Sequence, residues 1–70
     1  MVAGSIQRWT PRNGTGVIET GEGVLVWFHL SAVRGEDITT IAEGMRVEVD
    51  IEHTPQGKYD SRARSVRRST

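Results

Sequence analysis

Val26-Trp27-Phe28-His29-Leu30-Ser31-Ala32-Val33 is the stretch on which the fold of this chain turns. Successive side chains of a strand point to opposite faces, so Val26 and Phe28 share one face and Trp27 and His29 share the other. The apolar pair belongs against a core, which leaves the tryptophan and the histidine side by side on the outside. Leu30 to Val33 reads as a single helical turn that ends the strand.

Working outward from this third strand, Val24 to His29, glycine sets the spacing. Gly21-Glu22-Gly23 closes a hairpin back to a second strand, Gly16 to Thr20, with Val17 and Ile18 at its centre. Asn13-Gly14 is a turn dipeptide, because both residues tolerate positive φ. Before it, Ser5 to Trp9 forms a first strand that Pro11 prevents from continuing. On the other side, residues 34–43 show no period and read as a long loop over one end of the domain. Glu43-Gly44 then turns the chain into Met45 to Glu52, where apolar and acidic residues alternate and Glu48, Asp50 and Glu52 form the wet face. Thr54 to Lys58 is a further turn, and Arg62 to Arg68 supplies a fifth strand with Ala63 or Val66 inward. Five short strands without a long helix specify a barrel or a small sandwich in one domain, residues 1–70.

Composition narrows the class. A core of 70 residues supplies roughly 3–5 kcal/mol unless something staples it, and the chain has no cysteine for a disulfide or a thiolate metal site. His29 and His53 lie in different segments, so neither a metal nor another cofactor is expected. Closing the sheet into a barrel removes its edges and buries its inner face. No apolar run approaches the ~20 residues of a membrane span. Met1 to Ser5 lacks the basic start and apolar stretch of a signal peptide, so a cytoplasmic protein is expected. Net charge is zero, but it is unevenly spread. Residues 1–18 carry Arg8 and Arg12 with no acid, residues 19–52 carry eight acids against Arg34 and Arg46, and residues 53–70 carry Lys58 and four arginines against Asp60. Two basic ends lying side by side would give a neutral protein a basic face.

On this strand frame the chain resembles a bacterial cold-shock domain, from Gly4 to about Gly57 and again from Ala63 to Val66. Asn13-Gly14-Thr15-Gly16-Val17-Ile18 stands where that family has Lys-Gly-Phe-Gly-Phe-Ile. The opening stretch stands where it has Val-Phe-Val-His-Phe-Ser-Ala-Ile, and Glu43-Gly44 with Arg46-Val47 matches the family's entry to strand four. The resemblance implies an all-β, five-stranded antiparallel barrel of the oligonucleotide-binding (OB) fold. It also implies a non-enzymatic, monomeric binder of single-stranded RNA or DNA that acts as an RNA chaperone or a regulator of transcription or translation. Aromatic rings on the second and third strands stack on successive bases, a mode that tolerates sequence because every base has a π-face.

Carried over position by position, the implied contact residues are Arg8, Trp9, Arg12, Asn13, Thr15, Val17, Trp27, His29, Leu30, Ile38, Arg62 and Arg64. Several depart from the family. Thr15 and Val17 replace two phenylalanines, and Leu30 and Ile38 stand where further aromatics are usual. The family's Lys-Trp-Phe-Asn reads Gln7-Arg8-Trp9-Thr10, which puts Arg8 at the tryptophan platform. A one-residue slip would return Trp9 to that place but needs a bulge, and Trp9 is open between a platform and a core plug. Arg62 falls near the family's last-strand glutamine, with Arg64 on the same face, and Arg12 lies beside the missing lysine. With stacking worth about 1–3 kcal/mol per base, the lost rings imply weaker binding than in typical members. The competing expectation is a degenerate barrel whose surface serves protein–protein contact. Ser31, His29 and Asp37 make a triad on paper only, since Ser31 and His29 are too close in sequence at a strand end and no oxyanion loop or cleft accompanies them. An enzyme is therefore not expected.

Overall fold

The computed structural model describes residues 1–34, 41–55 and 57–69. Its strands are β1 (Val2–Thr10), β2 (Thr15–Thr20), β3 (Leu25–His29), β4 (Arg46–Glu52) and β5 (Arg62–Arg68), with a 3-10 turn at Leu30–Ala32. They close into a barrel in the order β1-β2-β3-β5-β4. The all-β, five-stranded barrel is the one expected from the sequence, with one refinement. Four of the pairings are antiparallel, whereas β3 and β5 run parallel, with Trp27 opposite Arg62. Geometry requires this, because strand direction cannot alternate all the way round a ring with an odd number of members.

β1 starts earlier than its sequence pattern indicates, because Val2 to Ser5 pair with Val49 to Arg46 of β4. At its other end β1 turns through Asn13-Gly14. Thr10 carbonyl accepts from the Asn13 N–H at 3.1 Å and the Gly14 N–H at 3.0 Å, and Gly14 alone of the pair takes positive φ, at 66°. The Glu43–Met45 turn is tied to the same strand, with Ile6 N–H donating to Met45 carbonyl and Gly44 N–H to Ile6 carbonyl. Of the expected 34–43 loop, residues 35–40 lie outside the described residues.

Two bulges set which side chains enter the barrel. The register of β1 against β2 shifts between Ile6 and Arg8, so Ile6 faces Ile18 while Arg8 faces Val17 and Trp9 faces Gly16. One extra residue inverts the alternation, and Ile6 and Trp9, three apart, both turn inward. The register of β5 against β4 likewise shifts between Asp50 and Ile51, which pair with Ser65 and Ala63. Ala63 and Val66 are consequently both buried, where unbroken alternation admits only one of them.

The core consists of Ile6, Ile18, Val26, Phe28, Val47, Val49 and Val66, with Ala32, Val33 and Ala63 completing it. Phe28 is its largest fully buried side chain. It lies opposite Gly16 on β2, where an added β-carbon would sit 2.6 Å from the Phe28 ring and 2.6 Å from the Arg8 carbonyl oxygen. On Phe28 stacks Trp9, with ring centroids 5.6 Å apart and planes 7° from parallel.

Replacing Gly16 by Ala should therefore destabilise the barrel by about 1–3 kcal/mol, since neither the buried ring nor the backbone carbonyl can withdraw. Urea denaturation should show a lower midpoint. Gly21→Ala, at a site with no atom within 4 Å of the new carbon, should leave the midpoint nearly unchanged.

Candidate nucleic-acid interface

The antiparallel ladder of β2 and β3 sets Thr15 opposite His29, Val17 opposite Trp27 and Glu19 opposite Leu25. These residues alternate with buried Gly16, Ile18, Val26 and Phe28 and form the outer face. Trp27 is half-buried and His29 exposed, with ring centroids 6.3 Å apart and planes tilted by 33°. Two bonds fix the pair. Trp27 N–H donates to the Ser61 carbonyl at 3.2 Å, which holds β3 against the start of β5. His29 Nδ1 accepts the Ser31 N–H at 3.0 Å and lies 3.0 Å from Ser31 Oγ, capping the 3-10 turn. With Nδ1 an acceptor, the neutral ring carries its proton on Nε2.

Beside these rings is a concavity of about 380 Å³ walled by Trp27, His29, Ser31, Arg62, Arg64 and Glu52. Glu52 changes its electrostatics. Arg62 Nε donates to Glu52 Oε2 at 2.6 Å, and Arg64 Nη2 lies 3.6 Å from Oε1 of the same carboxylate. The sequence pattern assigns Glu52 to a wet strand face together with Glu48 and Asp50. In the fold it is half-buried opposite Arg62 and holds both arginines of the expected site. The Arg62 hydrogen bond and charge, with smaller help from Arg64 and Thr54, hold its carboxyl below the ordinary value of 4.5 against a lesser effect of burial.

The other expected contact residues fall in three places. Arg8 is exposed and stands opposite Val17 on the outer face, whereas Trp9 has turned inward onto Phe28 and is half-buried. The bulge needed for a one-residue slip is present. Its effect is to send Arg8 outward and the Trp9 indole to the core, while the Trp9 backbone N–H donates to Glu43 Oε2 at 3.1 Å on the exposed side. Val17 is only 6% exposed although it lies outside the inner core, so other side chains cover it from the outer side. Arg12 and Asn13 are exposed in the β1–β2 turn. Half-buried Leu30 abuts that turn through its N–H, which donates to Gly14 carbonyl at 2.7 Å. Ile38 and Asp37 lie outside the described residues. Reasoning from the sequence missed Glu52 as a partner of the site. The ten-residue separation of Glu52 and Arg62 across the β4–β5 hairpin is the signal that would have found it.

No protein-family model matches the chain. Among curated proteins it is similar to Cold shock-like protein CspLB of Listeria monocytogenes, with 35% identity over 57 residues, covering 81% of this chain and 86% of that protein. Among the described residues, no helix is long and apolar enough to cross a membrane.

Because the folded state lowers the Glu52 pKa, the pair stabilises the barrel above the ordinary carboxylate pKa and ceases to do so as pH falls through the lowered value. Between neutral pH and about pH 3, the urea midpoint of the wild type should fall further than that of Glu52→Gln, which carries no titrating group there. Parallel curves for the two proteins would count against the ion pair.

Proposed function

Since the chain belongs to the cold-shock protein family, we propose that it binds single-stranded RNA or DNA on the outer face of β2, β3 and β5, without catalysing a reaction. The observation that carries this reading is the Trp27–His29 pair, two rings held side by side on the outer face of β2 and β3. Rings in that position accept successive unpaired bases, and the stacking is indifferent to base identity. The basic residues around them, Arg8, Arg12, Arg62 and Arg64, supply contacts to phosphate, with Asn13 at the adjoining turn. Arg8 also stacks, since a guanidinium lies flat on a base as readily as it pairs with phosphate. Acting as a cytoplasmic monomer, such a protein captures open strands and melts weak hairpins, the work of an RNA chaperone or a regulator of transcription or translation.

Affinity is set low by two features. Thr15 and Val17 keep the strand but offer no ring, and Leu30 makes only apolar contact. Trp9 gives one face of its indole to Phe28. Arg62 and Arg64 must be drawn from Glu52 before they serve a phosphate.

Titration with short oligo-dT or oligo-U should quench tryptophan fluorescence, and binding should weaken as salt rises because phosphate contacts release counterions. Trp27→Ala should lower the affinity roughly 5- to 100-fold at nearly unchanged stability. Absence of quenching at low salt with excess oligonucleotide would sink this reading and favour a protein-contact role. Glu52→Gln should bind more tightly, with a log-affinity against log-salt slope steeper by about 0.7 for each arginine that gains a phosphate.

A further inference from the structure

Val17 is the odd member of the outer face. A valine replaces a ring there, yet its side chain is almost as buried as the core. Beside it lies a segment to which the sequence assigns no contact role. Lys58 and Tyr59, in the connection between β4 and β5, reach across and wall a concavity of about 280 Å³ together with Gln7, Arg8, Val17 and Leu25. Tyr59 is half-buried in this wall, and Lys58 Nζ lies 5.7 Å from the centre of its ring. Val17 pairs with Trp27 across the β2–β3 ladder, so the concavity continues the Trp27–His29 surface along the same face.

The charge around it differs from that beside His29. Its walls carry two cations, Arg8 and Lys58, and no acid. Among the described residues, the ion pairs on this face are those of Arg62 and Arg64 with Glu52, and Arg8 and Lys58 have none. Uncompensated positive charge beside an aromatic ring and an apolar floor is complementary to a nucleotide, with the base against the ring and the phosphate at the cations. It is not complementary to an acidic or purely apolar partner, which would lack a use for one half of the site.

We propose that the β4–β5 connection contributes a nucleotide subsite to this face. Tyr59 supplies the stacking ring, Val17 the floor, and Arg8 and Lys58 the phosphate-binding charge. The ring lost from β2 at position 17 is thus replaced from a loop. The subsite rests on the reading of the face as a nucleic-acid surface and extends it to one more nucleotide beyond Trp27.

The test is binding of fluorescein-labelled oligo-dT by anisotropy at low salt, with Trp27→Ala as reference. Tyr59→Leu keeps an apolar wall to the concavity but has no π-face, and Tyr59→Phe keeps the ring. Tyr59→Phe should bind within about twofold of the wild type, and Tyr59→Leu should lose roughly fivefold or more. Lys58→Ala should flatten the salt slope by about 0.7. If Trp27→Ala weakens binding while Tyr59→Leu binds like the wild type at equal urea midpoint, Tyr59 is only a wall and this proposal fails alone. If the wild type does not bind the oligonucleotide, the subsite and the underlying reading fail together.

Discussion

The Phe28 ring occupies space that a β-carbon at residue 16 would need, and much of the barrel is arranged around that contact. Because Gly16 contributes only backbone, β2 and β3 approach closely enough for Phe28 to fill the interior between them. Trp9 then stacks on the same ring from β1. Three consecutive strands are joined through one aromatic side chain. In a chain that has no cysteine and so no disulfide, this contact acts as the staple.

Bringing Trp9 to that ring has a consequence for the surface. Ile6 and Trp9 share the interior only because β1 bulges between them, and the same bulge turns Arg8 outward opposite Val17. The residue that would serve as an indole platform on the outer face is therefore a guanidinium, and the indole is spent on the core. One backbone irregularity settles both the packing of the barrel and the chemistry of its face. The second bulge, at Arg64, acts alike on β5, burying Ala63 and Val66 together.

The face that results is divided electrostatically. Near His29 two arginines share the single Glu52 carboxylate, so half of their charge is answered within the protein. Near Val17, Arg8 and Lys58 have no carboxylate partner among the described residues. Zero net charge is compatible with a polyanion-binding surface because the neutralising acids are unevenly placed: Glu52 stands within the face, while Glu48 and Asp50 stand opposite Arg67 and Ser65 in the strand ladder farther along β4. In the binding role proposed, affinity and salt dependence follow from that local arrangement and not from the total.

Much of this was legible in the residues alone. Period-two alternation in Val26 to His29 and in Met45 to Glu52, with turns at Asn13-Gly14 and Glu43-Gly44, specified the strands and the outward Trp27–His29 pair, and the resemblance to cold-shock domains chose the barrel over a small sandwich. Those features are local, governed by the chemistry of neighbouring residues. The two bulges, the parallel closure of β3 on β5, the capture of Arg62 by Glu52 and the meeting of Tyr59 and Val17 in one concavity belonged to the tertiary structure. Each depends on which strands become neighbours and in what register, and alternation within one strand carries no information about its partner's offset. The sequence by itself determined an all-β barrel with a ring pair on its outside. Only folding decided that Trp9 would go in and Arg8 out, because a single extra residue in β1 reverses every side chain beyond it.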